Sequence, residues 1–394
     1  WRGRSVRGTP SCPSRAAEAG GRSPRARYEL QLFEGGQRLC APWPLRTLPD
    51  LNARTEHCRI VVFTCAGGLE GLAAPGGGEV YRPLALRQRL IDRALSFEPD
   101  ALVANGDHIY WDQRAWLESP VAALREGARA LFDRFGYFDE TLGFDGTPNE
   151  ELVIRLAAPQ IADLYGVRLR STPSFFLCDD HDYFENDEAT EKLVTFPPKP
   201  FLVAAQQATA RLFYPAFLLH ETRPQGLPGD GEESDLSSAF GTLRFGRLFE
   251  AQLFDCGRFL SLADGEGLIP AAAERWLVAR ARDEAVGHLM QMPSHPMGWS
   301  AGKWREWYPD IAVSDAGGAR IATLATGARG RLSVSEPKLK WNPGWFAQHQ
   351  RLIAALSGRK RPAATISGDL HAIGHAVIVR AGDPSDTDLV VGCI

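Results

Sequence analysis

The sequence is short of the features that mark several common protein classes. No apolar run approaches the roughly 18 residues needed to span a bilayer as a helix. The 44 Lys and Arg nearly balance the 48 Asp and Glu, leaving a formal charge of −4. That balance gives no support for a nucleic-acid-binding surface and is too slight to imply a special partner. The seven cysteines (Cys12, Cys40, Cys58, Cys65, Cys178, Cys256 and Cys393) include no Cys-x-x-Cys pair, so no dense disulfide framework is expected. Their odd number leaves at least one thiol free. Histidine is sparse, at nine residues, which disfavours a histidine-rich amidase or carboxylic-ester hydrolase centre. There is no internal repeat and no heptad run.

What is present is a set of apolar runs, each ending in metal-binding chemistry. Val61–Thr64 ends in Cys65, Ala101–Asn105 in Gly106-Asp107-His108-Ile109-Tyr110, Ser174–Leu177 in Cys178-Asp179-Asp180-His181-Asp182, and Ala363–Ser367 in Gly368-Asp369-Leu370-His371. Each run reads as a buried strand. In an open α/β sheet, sites assemble at the carboxyl ends of the strands. Four such ends argue for one polynuclear metal site and for metal-assisted hydrolysis.

The pattern between these runs alternates strand and helix. Leu84–Phe97 has apolar residues at helical spacing and is followed by Pro99-Asp100 and the next strand, a βαβ unit whose strands should be parallel neighbours. Helices are predicted over Pro120–Phe135, Glu150–Tyr165, Phe201–Phe213, Pro270–Arg282 and Pro343–Leu356, and a hairpin over Thr242–Phe245 and Phe249–Phe254. The late hairpins point to mixed sheets in an α/β fold. Residues 1–27 carry seven arginines and one acid among Gly, Ser, Pro and Ala, a composition expected to be disordered or non-native. Residues 28–50 read as a hairpin turning at Gly35-Gly36, the remnant of a small β domain, and 58–394 as the main domain. A chain from Trp1 to Ile394 is expected to be part of a longer one, truncated near its C-terminus.

The residue types explain the chemistry. A carboxylate at Asp107 can bridge two cations, because its two oxygens offer about four lone-pair directions. Tyr110 either joins the same centre, as a phenolate that needs a strong Lewis acid such as ferric iron, or packs with its hydroxyl on a backbone group. Cys178–Asp187 reads CDDHDYFEND, with six acids or histidines in ten residues, a density that repels itself without cations. Within it Asp180 is the leading ligand candidate, His181 can hold a proton for a departing alkoxide, and Asn186 offers an amide oxygen to a hard cation such as Ca²⁺. Asp369 and His371 face one site only if the strand has ended and the loop bends. Cys65 is either a buried apolar side chain or a thiolate ligand. His108, His288 and His295 read as structural. The basic-aromatic segment Gly298–Asp310 places Lys303 either near a substrate phosphate or in a packed loop.

Taken together, Phe63-Thr64-Cys65, Gly106–Tyr110, Asp179–Asp182 with Glu185-Asn186, and Gly368–His371 resemble the motifs of the PhoD-like alkaline phosphatases, a branch of the calcineurin-like metallophosphoesterases. The resemblance runs from about Cys58 to the C-terminus. It implies a four-layer α/β/β/α sandwich with two mixed sheets and the metals at one end. It implies hydrolysis of phosphomonoesters, phosphodiesters or both, by direct in-line attack of a hydroxide that the metals generate. It also implies Fe³⁺ with Ca²⁺, other divalent metals being alternatives. Cys65 and Tyr110 would bind iron, Asp107 would bridge, Asp180, Asn186, Asp369 and His371 would complete the site, and His181 would be the catalytic histidine. Two departures stand out: Cys178 replaces the tryptophan common before the double aspartate, and Asp187 stands where a second asparagine is usual. Relatives are often exported to the periplasm or beyond, but no export signal is visible here and the compartment stays open, as does oligomeric state. The alternatives are a calcium-binding module without catalysis and an inactive fragment of such an enzyme.

Overall fold

The structure is a computed structural model. It describes residues 26–72, 77–118, 122–183, 200–214, 239–256, 267–295, 343–361 and 363–369, the strand segments 217–218, 236–237, 309–311, 332–337, 374–379 and 387–393, and the single residues Leu227 and Phe259. Most of the arginine-rich 1–27 segment lies outside the described residues, as do Asn186, Lys303 and His371.

The chain opens with a two-tier hairpin. β1 (Arg27–Leu30) pairs antiparallel with β4 (Trp43–Arg46), and β2 (Phe33–Glu34) with β3 (Gln37–Arg38) across the Gly35-Gly36 turn. Next come β5 (Ile60–Phe63), α1 (Leu84–Leu95), β6 (Ala101–Asn105), α2 (Ala122–Phe135), α3 (Pro148–Ala157), α4 (Ala162–Tyr165), β7 (Ser174–Leu177) and α5 (Pro200–Phe213). The first sheet runs β5-β6-β7, with both pairings parallel. The predicted βαβ unit is therefore present.

α3 starts as capping rules require. The Thr147 hydroxyl accepts the Asn149 N–H at 3.2 Å, Pro148 takes the first turn, and Glu150 and Glu151 lie at its positive end. The single helix expected over Glu150–Tyr165 is instead α3 and α4. Pro159 lacks the N–H that would continue the ladder, and its ring clashes with the preceding turn.

The second sheet takes six of the later strands. β8 (Phe217–Leu218) and β9 (Leu236–Ser237) form a small ladder of their own. β10 (Phe240–Phe245) and β11 (Phe249–Phe254) are the predicted hairpin, and α6 (Ala271–Ala281) leads to β12 (His288–Pro293). β13 (Pro309–Ile311) and β14 (Leu332–Pro337) pair with each other. α7 (Pro343–Ser357) then precedes β15 (Ala363–Ser367), β16 (Gly374–Val379) and β17 (Thr387–Cys393). The order is β10-β11-β12-β15-β17-β16, antiparallel at both outer pairings and parallel between them, a mixed sheet.

Side-chain alternation shows how the layers stack. Ala101, Val103 and Leu177 of the first sheet cluster with Leu243, Leu253 and Met292 of the second, so the two sheets pack face to face. Phe63 and Phe176 point the other way, toward a core with Leu131, Leu152, Leu156 and Leu164 from the helices. On the far face of the second sheet, Phe240 and Phe254 meet Trp276 and Leu277 of α6 and Leu352 of α7. The architecture is thus helix, sheet, sheet, helix.

Buried charge ties α6 to the second sheet, and a partly exposed cluster ties α7 to α6. Glu250 on β11 is fully buried and forms a bidentate pair with Arg280 of α6, with Arg244 at 3.3 Å. Arg280→Leu should therefore destabilise the fold by about 3 kcal/mol, because it strands most of a buried carboxylate's pairing; urea denaturation reads this directly. Glu274 on α6 is held below the usual carboxylate range by hydrogen bonds from Arg351 and, more weakly, from Gln348, against the opposing effect of its burial. A depressed folded-state value stabilises above the unfolded value, near 4.3, and that stabilisation is lost as pH falls through the folded value. Glu274→Gln should be less stable than the parent at pH 7 and converge with it below about pH 4; paired thermal melts across this range check it.

Candidate metal centre

The parallel strands of both sheets point their carboxyl ends toward one edge. Among the described residues only four non-glycine residues have positive φ, and three are candidates from the sequence: Cys65 (54°), Asp107 (59°) and Asp369 (75°). Left-handed backbone at a non-glycine residue is strained and persists only where its surroundings enforce it, as functional sites often do. Each of the three follows its strand within two residues.

Loop-to-loop hydrogen bonds enforce this conformation. The Cys65 N–H donates to Gly106 O (3.3 Å) and the Gly67 N–H to Asp107 O (3.1 Å), so the β5 and β6 loops stay paired beyond the sheet. Arg87 of α1 clamps the carbonyls of Ala66, Gly67 and Gly68 at 2.7–2.9 Å. Gln160 accepts from the N–H groups of both Gly68 (2.8 Å) and Tyr110 (3.0 Å). From the second sheet, the Gly368 N–H donates to Ser294 O at 3.0 Å, and the Asn105 amide reaches Pro293 O at 2.9 Å. The two sheets are therefore joined at the site itself.

Gly368 sits where no side chain fits. A Cβ there would lie 2.5 Å from Asn105 O, 2.6 Å from the Thr64 hydroxyl and 2.9 Å from Ser294 O. Gly106 is similarly confined, with Asp179 Cβ at 2.6 Å.

Asp107, Asp179 and Asp369 are completely buried, and so is His295. The His295 Nδ1 lies 3.2 Å from Asp179 Oδ2 and 3.4 Å from Asp369 Oδ2, and ligand atoms of these three residues fall within 4.8 Å of one another. The Ser294 hydroxyl donates to the other Asp179 oxygen at 3.1 Å. At the β5 end, the Cys65 Sγ lies 3.1 Å from Asp107 Oδ2. Burial first, then the charges of Asp107 and Asp369, push the Cys65 thiol well up, with the Thr64 hydroxyl opposing. A cation beside the same sulfur inverts that logic and favours the thiolate. Asp179, His295 and Asp369 form a group that could hold a metal ion, and the Cys65–Asp107 pair lies within electrostatic reach of Asp369; together they offer the mixed N, O and S donors that suit transition metals, alone or beside a hard cation. The residues fit metal ions.

The other sequence candidates divide by position. Tyr110 is 5% exposed, its ring against His181 (centroids 4.1 Å) and Tyr81 (5.0 Å). His181, also buried, lies in the short turn Asp180–Tyr183 with its ring packed at a tilt against Tyr110. Asp180 opens that turn, and its side chain lies outside the described residues. His108 is structural, as expected: its Nε2 meets Leu177 O at 2.8 Å and its Nδ1 the Tyr165 hydroxyl at 3.3 Å, and burial pushes its pKa down. His288 is exposed at the start of β12.

Two residues escaped the sequence reading. Asp179 is the first residue of the double aspartate, at the same distance beyond its strand as Cys65 and Asp107 beyond theirs. That shared offset was the available signal. His295, expected to be structural, joins the centre because Leu289–Met292 is part of a strand. Pro293 and the glutamine at position 291 obscure that strand in the sequence.

No protein-family model matches the sequence, and no curated protein does. Among solved structures, the chain is similar to PhoD, with a TM-score of 0.57 at 13% identity, over 94% of this chain and 62% of that one. The chain shares the fold of PhoD. The chain thus spans 62% of the length of the PhoD structure it matches. A purple acid phosphatase from yellow lupin (TM-score 0.44, 11% identity, 93% of this chain and 49% of that one) and a dimetal phosphatase from Danio rerio (0.35, 9%, 85% and 86%) are too distant to bear on the fold. The candidate centre lies at the ends of strands from both sheets.

Gly368→Ala tests the joint between the sheets. Its methyl group would press on two backbone carbonyls, and overpacking of this kind costs about 1–3 kcal/mol. The variant should melt earlier and retain less metal than the parent; calorimetry with metal analysis measures both.

Proposed function

We propose that this chain is a metal-dependent phosphoric-ester hydrolase of the PhoD-like type, acting on phosphomonoesters, phosphodiesters or both. The observation that carries the reading is the convergence of Cys65, Asp107 and Asp369, each on left-handed backbone, with Asp179 and His295 at the joint of two sheets. The fold shared with PhoD supports it.

In this proposal Cys65, Asp107, Tyr110, Asp179, Asp180, Asn186, His295, Asp369 and His371 form the ligand pool. The thiol and phenol favour ferric iron at one position, and the carboxylates with the Asn186 amide favour Ca²⁺ or another divalent ion at the other. When bound, such cations supply positive charge to the phosphoryl oxygens and lower the pKa of a water nucleophile. The protein's part is positioning and proton transfer. The fixed loops hold the donors without reorganisation as charge builds on the equatorial oxygens. His181, packed against Tyr110, gives its proton to the departing oxygen. Lys303 binds a phosphate oxygen of the substrate. The imidazole and thiol at the centre argue against a module that only holds calcium, which needs oxygen ligands alone.

The same Gly298–Asp310 segment contains Gly298-Trp299-Ser300-Ala301-Gly302, the spacing of a serine-hydrolase elbow. One experiment separates the readings. Asparagine is isosteric with aspartate, so Asp107→Asn preserves shape while removing the charge that sits beside Cys65. After reconstitution with iron and calcium, the parent should turn over a nitrophenyl phosphodiester or monoester, and Asp107→Asn should lose activity by about 10³-fold or more, the scale of losing electrostatic stabilisation at the reacting group. Full activity in Asp107→Asn, together with inactivation by a serine-directed fluorophosphonate, would overturn the metal reading in favour of the elbow.

A further inference from the structure

Asp182 holds a position that neither a ligand nor a surface acid would occupy. It is 1% exposed. Its Oδ1 accepts from the N–H groups of His108 (3.0 Å) and Ile109 (2.9 Å) and from the Tyr214 hydroxyl (2.9 Å). Its Oδ2 accepts from the N–H groups of Asp107 (2.9 Å) and Asp179 (3.0 Å). Three consecutive amides, 107 to 109, converge on one carboxylate, the geometry of an anion-binding nest filled here by the protein's own side chain. The fourth amide belongs to the loop beyond β7, and the hydroxyl to the residue just beyond α5.

We propose that Asp182, aimed by Tyr214, is a positioning residue that sets Asp107 and Asp179 at the separation and orientation metal binding requires. This rests on the metal-centre reading above. Asp107 has φ of 59°, and bonds to its own amide and the two that follow hold that strained turn. The same carboxylate anchors the Asp179 amide, so one group ties the ends of β6 and β7 together. Both oxygens are committed to donors, which makes Asp182 a brace rather than a ligand. Asparagine cannot replace it, because its NH₂ would face at least two N–H or O–H donors.

A structural role alone would lower stability and leave metal binding unchanged. The full chain, stripped of metal, is titrated calorimetrically with Mn²⁺ as parent, Asp182→Asn, and Leu277→Ala, a core variant on α6 that controls for lost stability. Asp182→Asn should bind Mn²⁺ at least tenfold more weakly, while Leu277→Ala keeps the parent's affinity. Equal affinity in Asp182→Asn and parent overturns the proposal. If Asp182→Asn does not fold, Tyr214→Phe decides, with a two- to fivefold loss expected and an unchanged affinity overturning it. A parent chain that takes up no Mn²⁺ overturns both this inference and the metal-centre reading; a metal-binding parent with an equally tight Asp182→Asn overturns this inference alone.

Discussion

Everything at the candidate centre depends on one close approach, the backbone of Gly368 against Asn105, Thr64 and Ser294. These residues end strands of both sheets, and contact between them brings two sets of strand ends into one crevice. A single sheet could supply Cys65, Asp107 and Asp179, or Asp369 and His295, but not both sets. The approach is possible because a glycine sits there, and because Asn105 spends its amide on Pro293 across the interface. The inter-sheet core of Val103, Leu177, Leu253 and Met292 then holds the two layers at a fixed distance.

Electrostatics gives that geometry its purpose. Fully burying three carboxylates beside a thiol is costly unless positive charge shares the space. The strained backbone of Cys65, Asp107 and Asp369 adds to the cost, typically about 1–3 kcal/mol per residue. The surrounding fold sustains both, through the Arg87 clamp, the Gln160 bridge and the Asp182 brace. Donors held this way by their own loops suit the proposed hydrolysis, since electrostatic stabilisation works best with groups already in place.

The outer layers serve a different end. The Glu250–Arg280 pair and the Glu274–Arg351–Gln348 cluster lie on the helical side of the second sheet. The first pins α6 to β11, and the second pins α7 to α6. Their charges are matched with arginine, whereas the carboxylates of the centre are grouped with one another and with His295.

Much of this was legible in the chain itself. Alternating apolar runs and helical periodicities defined the α/β class, the βαβ unit and the late hairpin, because local burial patterns are written residue by residue. Cys65, Asp107 and Asp369 stood out because strand-terminal polar residues in such folds face the crevice. The sequence could not say which of Asp179 and Asp180 turns inward, since neighbouring carboxylates are separated only by the loop's path. Nor could it reveal His295, whose strand carries glutamine and proline and becomes a strand through its neighbours β11 and β15. By itself, then, the sequence determined the element order and the chemical character of the strand ends, both local properties. Tertiary structure alone decided which of those ends meet and which side chains they present, because that depends on two sheets closing on a glycine more than 250 residues away from the aspartate it helps to place.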